Sequence, residues 1–571
     1  MATKNVNVPP QKEEYDAIVV GSGISGGWAA KELTEHGMKT LVLERGPNVV
    51  HGEDYITEHM PNWEAEFRGL GDRKLFKEEY PKQLRAGIIN EFNYHFFANE
   101  KKYPYQTDEE DPYLWVRGYQ VGGKSLTWGR QTYRWSDLDF EANLKQGIAV
   151  DWPIRYKDIA PWYDYVEEFA GISGKAEGLD HLPDGKFLPP MEMTCVEEHV
   201  KEQVESKFKN RMVTIGRCAV LTKPHKGRGA CHYCGPCSRG CSVGAYFSTQ
   251  SSTLPAARKT GNLTLRPDSI VHSVIYDKEK QRATGVRVID RKTKESKEFY
   301  AKVIFLCAST LGSTQIMLNS KSDAFPNGIA NSSGVLGHYL MDHHFQVGAS
   351  AEFEGFEDKY YHGNRPNGVY VPRFRNISDE TKMDDFIRGY GYESWSGRPS
   401  WGRGKNKKGF GEDFKRKLRD PGQWYMNMSA FGETLPYHDN HAKLSDKKDD
   451  WGIPQLEIHA SIGENEKNMR QDMSAAAAEM LEAAGGKNVN PYDDEYLPGE
   501  GIHEMGAARM GRDPKTSVLN AHNQAHDVPN LFVTDGACMT SAACQNPSLT
   551  YMALTARAVD YAVNELKKQN L

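Results

Sequence analysis

Two groups of residues in this chain stand at spacings that do chemistry. The first is Gly21, Gly23 and Gly26 in GSGISGG, joined by Glu44, which follows Gly21 by 23 positions. Glycines at GxGxxG spacing allow a tight turn, a close backbone approach to a pyrophosphate, and close packing of the next helix, whose free N–H groups face the phosphates. A carboxylate about 20 positions on accepts hydrogen bonds from a ribose, so the expected ligand carries adenosine. The second group is Cys231, Cys234, Cys237 and Cys241, spaced C-x2-C-x2-C-x3-C. This is the ferredoxin-type run that wraps thiolates around an iron–sulfur cluster, although Ser242 stands where proline usually follows. Tetrahedral zinc accepts four thiolates as readily, and free or oxidised thiols are a third reading.

The glycine motif requires a strand before it and a helix after it. Residues 17–20 are an uninterrupted apolar run, as in a strand buried on both faces, and 40–43 read as a second parallel strand ending at Glu44. Gly122 and Gly123, in VGGKSLTW, suit a backbone that runs tightly against a flat cofactor, with a plain glycine turn as the alternative. Residues 50–114 show no period and read as irregular structure with short helices. Within 151–175 an amphipathic helix starts near Ile159, with Trp162, Tyr165, Val166 and Phe169 on one face, and is expected to pack one lobe against the other. Residues 262–276, 283–290 and 296–306 read as strands, followed by a helix over 311–318. Residues 385–422 show no strong period, 423–431 and 454–461 read as strands, and 465–484 as a helix. A strand at 530–535 and a helix opening with Pro547 at its first position return the chain to the nucleotide lobe.

At 571 residues the chain exceeds what one core usually serves, so two lobes are expected. Hydrophobic residues make up 39% and charged residues 26%, an ordinary globular composition, and a net charge of −6 argues against nucleic acid as the main partner. No apolar run reaches the length of a membrane span, and the first fifteen residues lack the apolar stretch of a secretory signal. The cysteines outside the run, Cys195, Cys218, Cys307, Cys538 and Cys544, read as small buried side chains. The aromatic and basic stretch with Trp395, Trp401 and Trp424 reads as a solvated loop with one core tryptophan, or else as a sugar-stacking lid or a docking surface.

Taken in order, GSGISGG with ERGP, VGGKSLTW, WPIRYKDIAPWYD, CASTLGSTQIML, and HEMGAARMG followed by NPSLT resemble the glucose-methanol-choline oxidoreductase family over nearly the whole chain. Within that family the chain looks most similar to the FAD-dependent sugar dehydrogenases and pyranose oxidase. The resemblance implies an α/β fold with FAD rather than NAD. It further implies a Rossmann-like flavin lobe, over 1–58, 115–140, 228–345 and 497–571, and a substrate lobe with a six-stranded antiparallel sheet and helices, over 59–114, 141–227 and 346–496. It marks His503 and Asn546 as catalytic: a neutral imidazole takes the hydroxyl proton while hydride leaves for the flavin, and a carboxamide holds the hydroxyl. Other members carry a second histidine at the position of Asn546. The cofactor site it implies includes Gly21, Gly23, Ser25, Gly26, Glu44, Arg45, Gly122, Gly123, Ser125, Thr127, Val271, Ala308, Asp535, Asn546 and Thr550. Thr127 stands where pyranose oxidase has the histidine bonded to its flavin, so FAD is expected to be held without a covalent bond.

Resemblance to FAD glucose dehydrogenases implies a three-iron cluster on Cys231, Cys237 and Cys241, with Cys234 as an extra thiol. The expected activity is oxidation of a sugar or glycoside hydroxyl, at C3 of glucosides as in glucoside 3-dehydrogenase, with electrons leaving through the cluster toward a small subunit and a cytochrome. The alternatives are oxidation of glucose at C1, an oxidase that returns electrons to oxygen, and a flavin- and metal-binding redox module without turnover. Export to the periplasm with a partner subunit is expected, a cytoplasmic location being the alternative.

Overall fold

The computed structural model describes residues 14–399, 403–404 and 407–571. The polar opening stretch, up to residue 13, and Trp401 therefore lie outside the described residues.

A seven-stranded sheet is built around the run expected to be a buried strand. Its order is Leu263–Arg266, Thr40–Leu43, Glu14–Val20, Ser296–Leu306, Arg282–Asp290 and Ser269–Asp277, with Leu531–Val533 also paired to Ser296–Leu306. Ala17 pairs in parallel with Thr40 on one side and with Val303 on the other. Ala17, Ile18 and Val19 have no solvent exposure. That burial is the reason the strand is apolar at every position rather than at alternate ones. The helix Ile24–Glu35 follows directly, and the C-terminal helix Ser548–Lys567 packs on it. Pro547 is the residue before that last helix rather than its first turn.

The amphipathic helix runs over Tyr156–Ala170 and buries Ile159, Tyr163, Val166 and Ala170. It packs on the helices Ile24–Glu35 and Ser548–Lys567, which belong to the stretches expected to form the flavin lobe. Phe169 lies edge-on to Trp28 at 5.1 Å, Lys31 Nζ donates to Tyr165 Oη at 2.7 Å, and Tyr163 Oη meets Thr550 Oγ1 at 2.8 Å. Tyr165 stays exposed on the outer face.

A second sheet is antiparallel throughout. Six strands follow in the order Lys487–Asp493, Val347–Phe353, Trp424–Glu433, Tyr390–Gly397, Val369–Val371 and Thr214–Ile215, and the short strand His343–His344 also pairs with Trp424–Glu433. The helix Glu464–Ala483 covers it, burying Met469, Met473, Ala477 and Met480. The strand Tyr390–Gly397 lies in the stretch that shows no period in sequence. Its sequence, YGYESWSG, alternates buried tyrosines with a glycine and a glutamate, because its other face looks into a cavity rather than solvent. Among the described residues no helix is long and apolar enough to cross a membrane.

Candidate active site

A cavity of about 560 Å³ is lined by residues of both sheets, within the size range of cofactor and ligand sites. At its nucleotide end lie Gly21, Gly23 and Ser25, the last of these in the first turn of the helix Ile24–Glu35. A methyl group on Gly21 would stand 2.3 Å from the carbonyl oxygen of Cys307, and one on Gly26 would stand 2.0 Å from that of Gly21. Gly23 meets nothing within 4 Å, so its α-carbon faces the open cavity. The helix start carries no side-chain cap, which leaves its first N–H groups available to an anion.

Glu44 is held where the second strand ends. Its Oε2 accepts from Ser22 N at 3.1 Å and Ser22 Oγ at 2.6 Å, and its Oε1 from Gly46 N at 3.1 Å. Burial raises the Glu44 carboxyl above its ordinary pKa, against these hydrogen bonds. Ser22 is a hub that the motif does not announce. Its Oγ also accepts from Gly122 N at 3.0 Å, and its carbonyl accepts from Thr249 Oγ1 at 3.0 Å. The two glycine turns therefore touch: a methyl group on Gly123, whose φ is +50°, would stand 3.2 Å from the Gly23 α-carbon. Ser22 and Thr249 occupy a variable position of one motif and a loop far from it, so no local signal picks them out.

Arg45, Gly123, Ser125, Thr127, Val271, Ala308 and Asp535 line the same cavity. Arg45 lies over the Tyr119 ring at 4.8 Å and pairs with Asp449 at 3.3 Å. Asp535 accepts from Ser313 Oγ and Ala537 N, and burial pushes its carboxyl up to about 6. Gly26, Gly122 and Thr550 stand behind the wall, where they shape the helix, the turn and the packing rather than face the cavity.

His503 and Asn546 line the other end. The segment that carries His503 is tied to the one before the short strand His343–His344. Met341 N donates to Met505 O at 2.8 Å, Met505 N donates to Met341 O at 2.9 Å, and His503 N donates to Asp342 Oδ1 at 2.9 Å. Gly501 permits this approach, since a methyl group there would meet the His343 carbonyl oxygen at 2.2 Å. His503 Nδ1 lies 3.0 Å from His343 Nδ1, and His343 Nε2 lies 3.2 Å from the Ala542 carbonyl oxygen. Burial, then His343 and Lys124, hold the His503 imidazole well below its ordinary pKa, so it is neutral at physiological pH. Asp342 is pushed up to about 8 by burial and by Glu504, whose carboxylate is paired with Lys124 at 2.9 Å.

Glu393, from the strand Tyr390–Gly397, is a functional candidate that the sequence does not reveal. Its carboxyl lines the cavity within hydrogen-bonding reach of Asn546 and Gln131, and burial pushes it up to about 7. Phe345 and Phe431, stacked at 5.1 Å, form an apolar wall, with the Phe431 ring 6.3 Å from that of His503. Trp395 is exposed and Trp424 buried, and neither lines the cavity.

The cysteine run does not form the expected ligand set. Cys231, Cys234, Cys237 and Cys241 lie near enough for the others' charge to raise the Cys231 thiol, which burial pushes up to about 11. Yet among the described residues no three His, Cys, Asp or Glu side chains gather where they could hold a metal ion. The segment turns through left-handed backbone at Tyr233, Gly235 and Gly240. Cys231 and Cys241 pack against the core under the antiparallel sheet, whereas Cys234 is exposed. Cys231, Cys237 and Cys241, expected to hold a three-iron cluster, are each partly buried, and only the extra Cys234 is exposed; as placed, these side chains are not gathered into a ligand set.

An uncapped helix start and a buried carboxylate, with an imidazole and a carboxamide lining the same cavity, fit a nucleotide-dependent alcohol oxidoreductase. The chain belongs to the GMC oxidoreductase family, whose two parts match residues 15–345 and 436–555. The family's cofactor is FAD, and the open Gly23, the free helix N–H groups and Glu44 fit its pyrophosphate and ribose. The chain is 29% identical to 2-methyl-1,2-propanediol dehydrogenase of Mycolicibacterium austroafricanum, over 96% of this chain and 95% of that one. It is 26% identical to the fructose dehydrogenase large subunit of Gluconobacter japonicus, over 97% and 98%. Against the gluconate 2-dehydrogenase flavoprotein of Pantoea cypripedii the identity is 26%, over 97% and 94%. Its fold is similar to that of pyridoxine 4-oxidase from Mesorbium loti, with a TM-score of 0.57 over 96% of this chain and 98% of that one, at 17% identity.

Proposed function

We propose that this chain is an FAD-dependent dehydrogenase that oxidises a secondary hydroxyl of a sugar, glycoside or related polyol, with C3 of a glucoside as the favoured position. The observation that carries the reading is the meeting of His503, Asn546 and Glu393 on one wall of the cavity whose other end is the glycine turn and Glu44. Bound FAD supplies the hydride acceptor. His503, neutral and aimed into the cavity, takes the hydroxyl proton, and Asn546 holds the same hydroxyl and its developing negative charge. Glu393 accepts hydrogen bonds from a neighbouring hydroxyl, a task for which a polyol offers a partner and a simple alcohol does not. The Phe345 and Phe431 wall keeps bulk water from the base.

The names of three relatives support a polyol substrate, a diol, fructose and gluconate; the diol has only a primary and a tertiary hydroxyl, so the secondary position is supported by the names of the other two. Fructose dehydrogenase is named as a large subunit, which supports an electron-accepting partner for this chain as well. The cysteine spacing alone argues for an iron–sulfur exit, and since the side chains do not gather, no electron step is assigned to it. Iron and sulfide analysis of protein made with ample iron decides that point.

The test is anaerobic flavin bleaching by a panel containing methyl α-D-glucoside, D-glucose, D-fructose, D-gluconate, 2-methyl-1,2-propanediol and aliphatic alcohols, with product structures determined by NMR. Fastest bleaching by a sugar or polyol and a keto product are expected. Bleaching by aliphatic alcohols alone would refute the reading.

A further inference from the structure

We infer that His343 is a positioning residue that holds His503 in the tautomer with its proton on Nδ1, so that an unprotonated Nε2 faces the cavity. The inference deepens the proposed function and rests on its assignment of His503 as the base.

Short contacts link Ala542, His343 and His503. The Ala542 carbonyl can only accept a hydrogen bond, and it lies 3.2 Å from His343 Nε2, so that nitrogen carries a proton. The Ala542 peptide is itself anchored, since Ala542 N donates to Glu433 Oε1 at 3.0 Å. Burial holds His343 below its ordinary pKa, so the ring is neutral and has one proton. With Nε2 protonated, His343 Nδ1 is a lone pair. It lies 3.0 Å from His503 Nδ1, a separation that is repulsive unless one proton stands between them, and only His503 can supply it. His503 is also neutral, so its own Nε2 is left bare. That atom makes no hydrogen bond within the protein among the described residues, nor is it a buried orphan, which leaves it facing the cavity.

The alternative tautomer, with the proton on Nε2, would present a donor to the substrate hydroxyl, and no proton could be taken. In a neutral imidazole which nitrogen is protonated is set by the hydrogen bond of the other. The chain therefore spends a second buried histidine on preparing the first. In turnover the substrate O–H proton would go to His503 Nε2; FAD, when bound, would supply the acceptor for the hydride. The resulting imidazolium donates through Nδ1 to His343. The titratable groups around the pair are Lys124 with Glu504, Asp342, whose carboxyl is pushed up to about 8 and whose Oδ1 is taken by the His503 backbone N–H, and Glu433 beside Ala542.

The tautomer can be read directly and without substrate. In holoenzyme labelled with 15N-histidine, the signals of His503 are identified by their loss in His503→Ala, and nitrogen chemical shifts distinguish a protonated from a bare Nε2. A bare Nε2 and a protonated Nδ1 are expected. A protonated Nε2 on His503 overturns the inference even if the enzyme acts on sugars.

Two variants give a second, functional reading, with the panel compound that bleaches the flavin fastest as probe. His343→Leu removes the acceptor and is expected to slow flavin reduction at least about 10-fold, with substrate affinity within about twofold; in the serine-protease template a wrong tautomer costs about 10⁴-fold. His343→Asn places an oxygen where Nδ1 stood and should restore the rate to within about threefold of wild type. Equal slowing in both variants would make the role of His343 one of packing and would overturn the proposal. A wild-type rate in His343→Leu would do the same.

Discussion

The depressed pKa of His503 makes a prediction that separates this base from an ordinary histidine. An imidazole of ordinary pKa near 6.5 retains only about 3% of its base form at pH 5, so flavin reduction would fall about 30-fold below its plateau there. His503 is buried against His343 and faces the Lys124 ammonium, so its pKa lies well below 6.5 and the base form persists to lower pH. The His503 contribution to the rate of anaerobic flavin reduction should therefore stay flat from pH 9 down through about pH 6.5, where an ordinary imidazole has already lost half its base form. Glu393, which ionises at about 7, titrates inside that window. Any inflection near pH 7 in the wild type should accordingly vanish in Glu393→Gln, and any that remains near pH 8 belongs to Asp342, pushed up to about 8, and should vanish in Asp342→Asn. At fixed pH, His503→Ala should lose about 10² to 10⁴-fold in reduction rate, about 3 to 5 kcal/mol of barrier, while FAD stays bound. Stopped-flow bleaching across pH 5 to 9 measures all of this. An inflection near pH 6.5 that survives Glu393→Gln and disappears only with His503 would refute the reasoning, as would a wild-type rate in His503→Ala.

Two glycines of one motif should fail differently. Gly26→Ala forces a methyl group to 2.0 Å from the Gly21 carbonyl oxygen, a clash of backbone with backbone, and should lower the unfolding midpoint together with flavin content. Gly23→Ala meets nothing within 4 Å in the protein, so the fold should be as stable as wild type in the absence of FAD while flavin content falls; equal flavin content would place the pyrophosphate elsewhere. Glu393 has its folded pKa raised from 4.5 to about 7, so its stabilising contribution is complete below pH 4.5 and is lost as pH rises through 7. Glu393→Gln should therefore gain on wild type between pH 5 and pH 8, by up to about 3 kcal/mol in urea unfolding, and a gain in the opposite direction contradicts the burial of that carboxyl. Denatured holoenzyme should release intact FAD, because Thr127 offers no covalent attachment. Flavin that remains with the precipitate would show another linkage.

The elements that position the cofactor were legible in the chain because they are local. An apolar run, three spaced glycines and an acid at the end of the next strand are read within 28 residues, and the structure places them in one sheet, turn and helix. The family resemblance carried by the later motifs implied an antiparallel sheet and marked His503 and Asn546, and the structure has such a sheet and lines one cavity with both residues. Side-chain partnerships across long separations were not legible. His343 lies 160 positions from His503, and neither periodicity nor spacing can announce a hydrogen bond made only when two segments meet. Glu393 was hidden for a related reason: its strand alternates between a protein core and a polar cavity, so its pattern resembles neither a half-exposed strand nor a buried one. For the cysteines the spacing pointed to one centre, while among the described residues the side chains as folded are not gathered into a ligand set. Sequence alone determined which atoms this chain can bring to an alcohol. Tertiary packing decided which of them face one another, and through that which nitrogen of His503 is left without a proton.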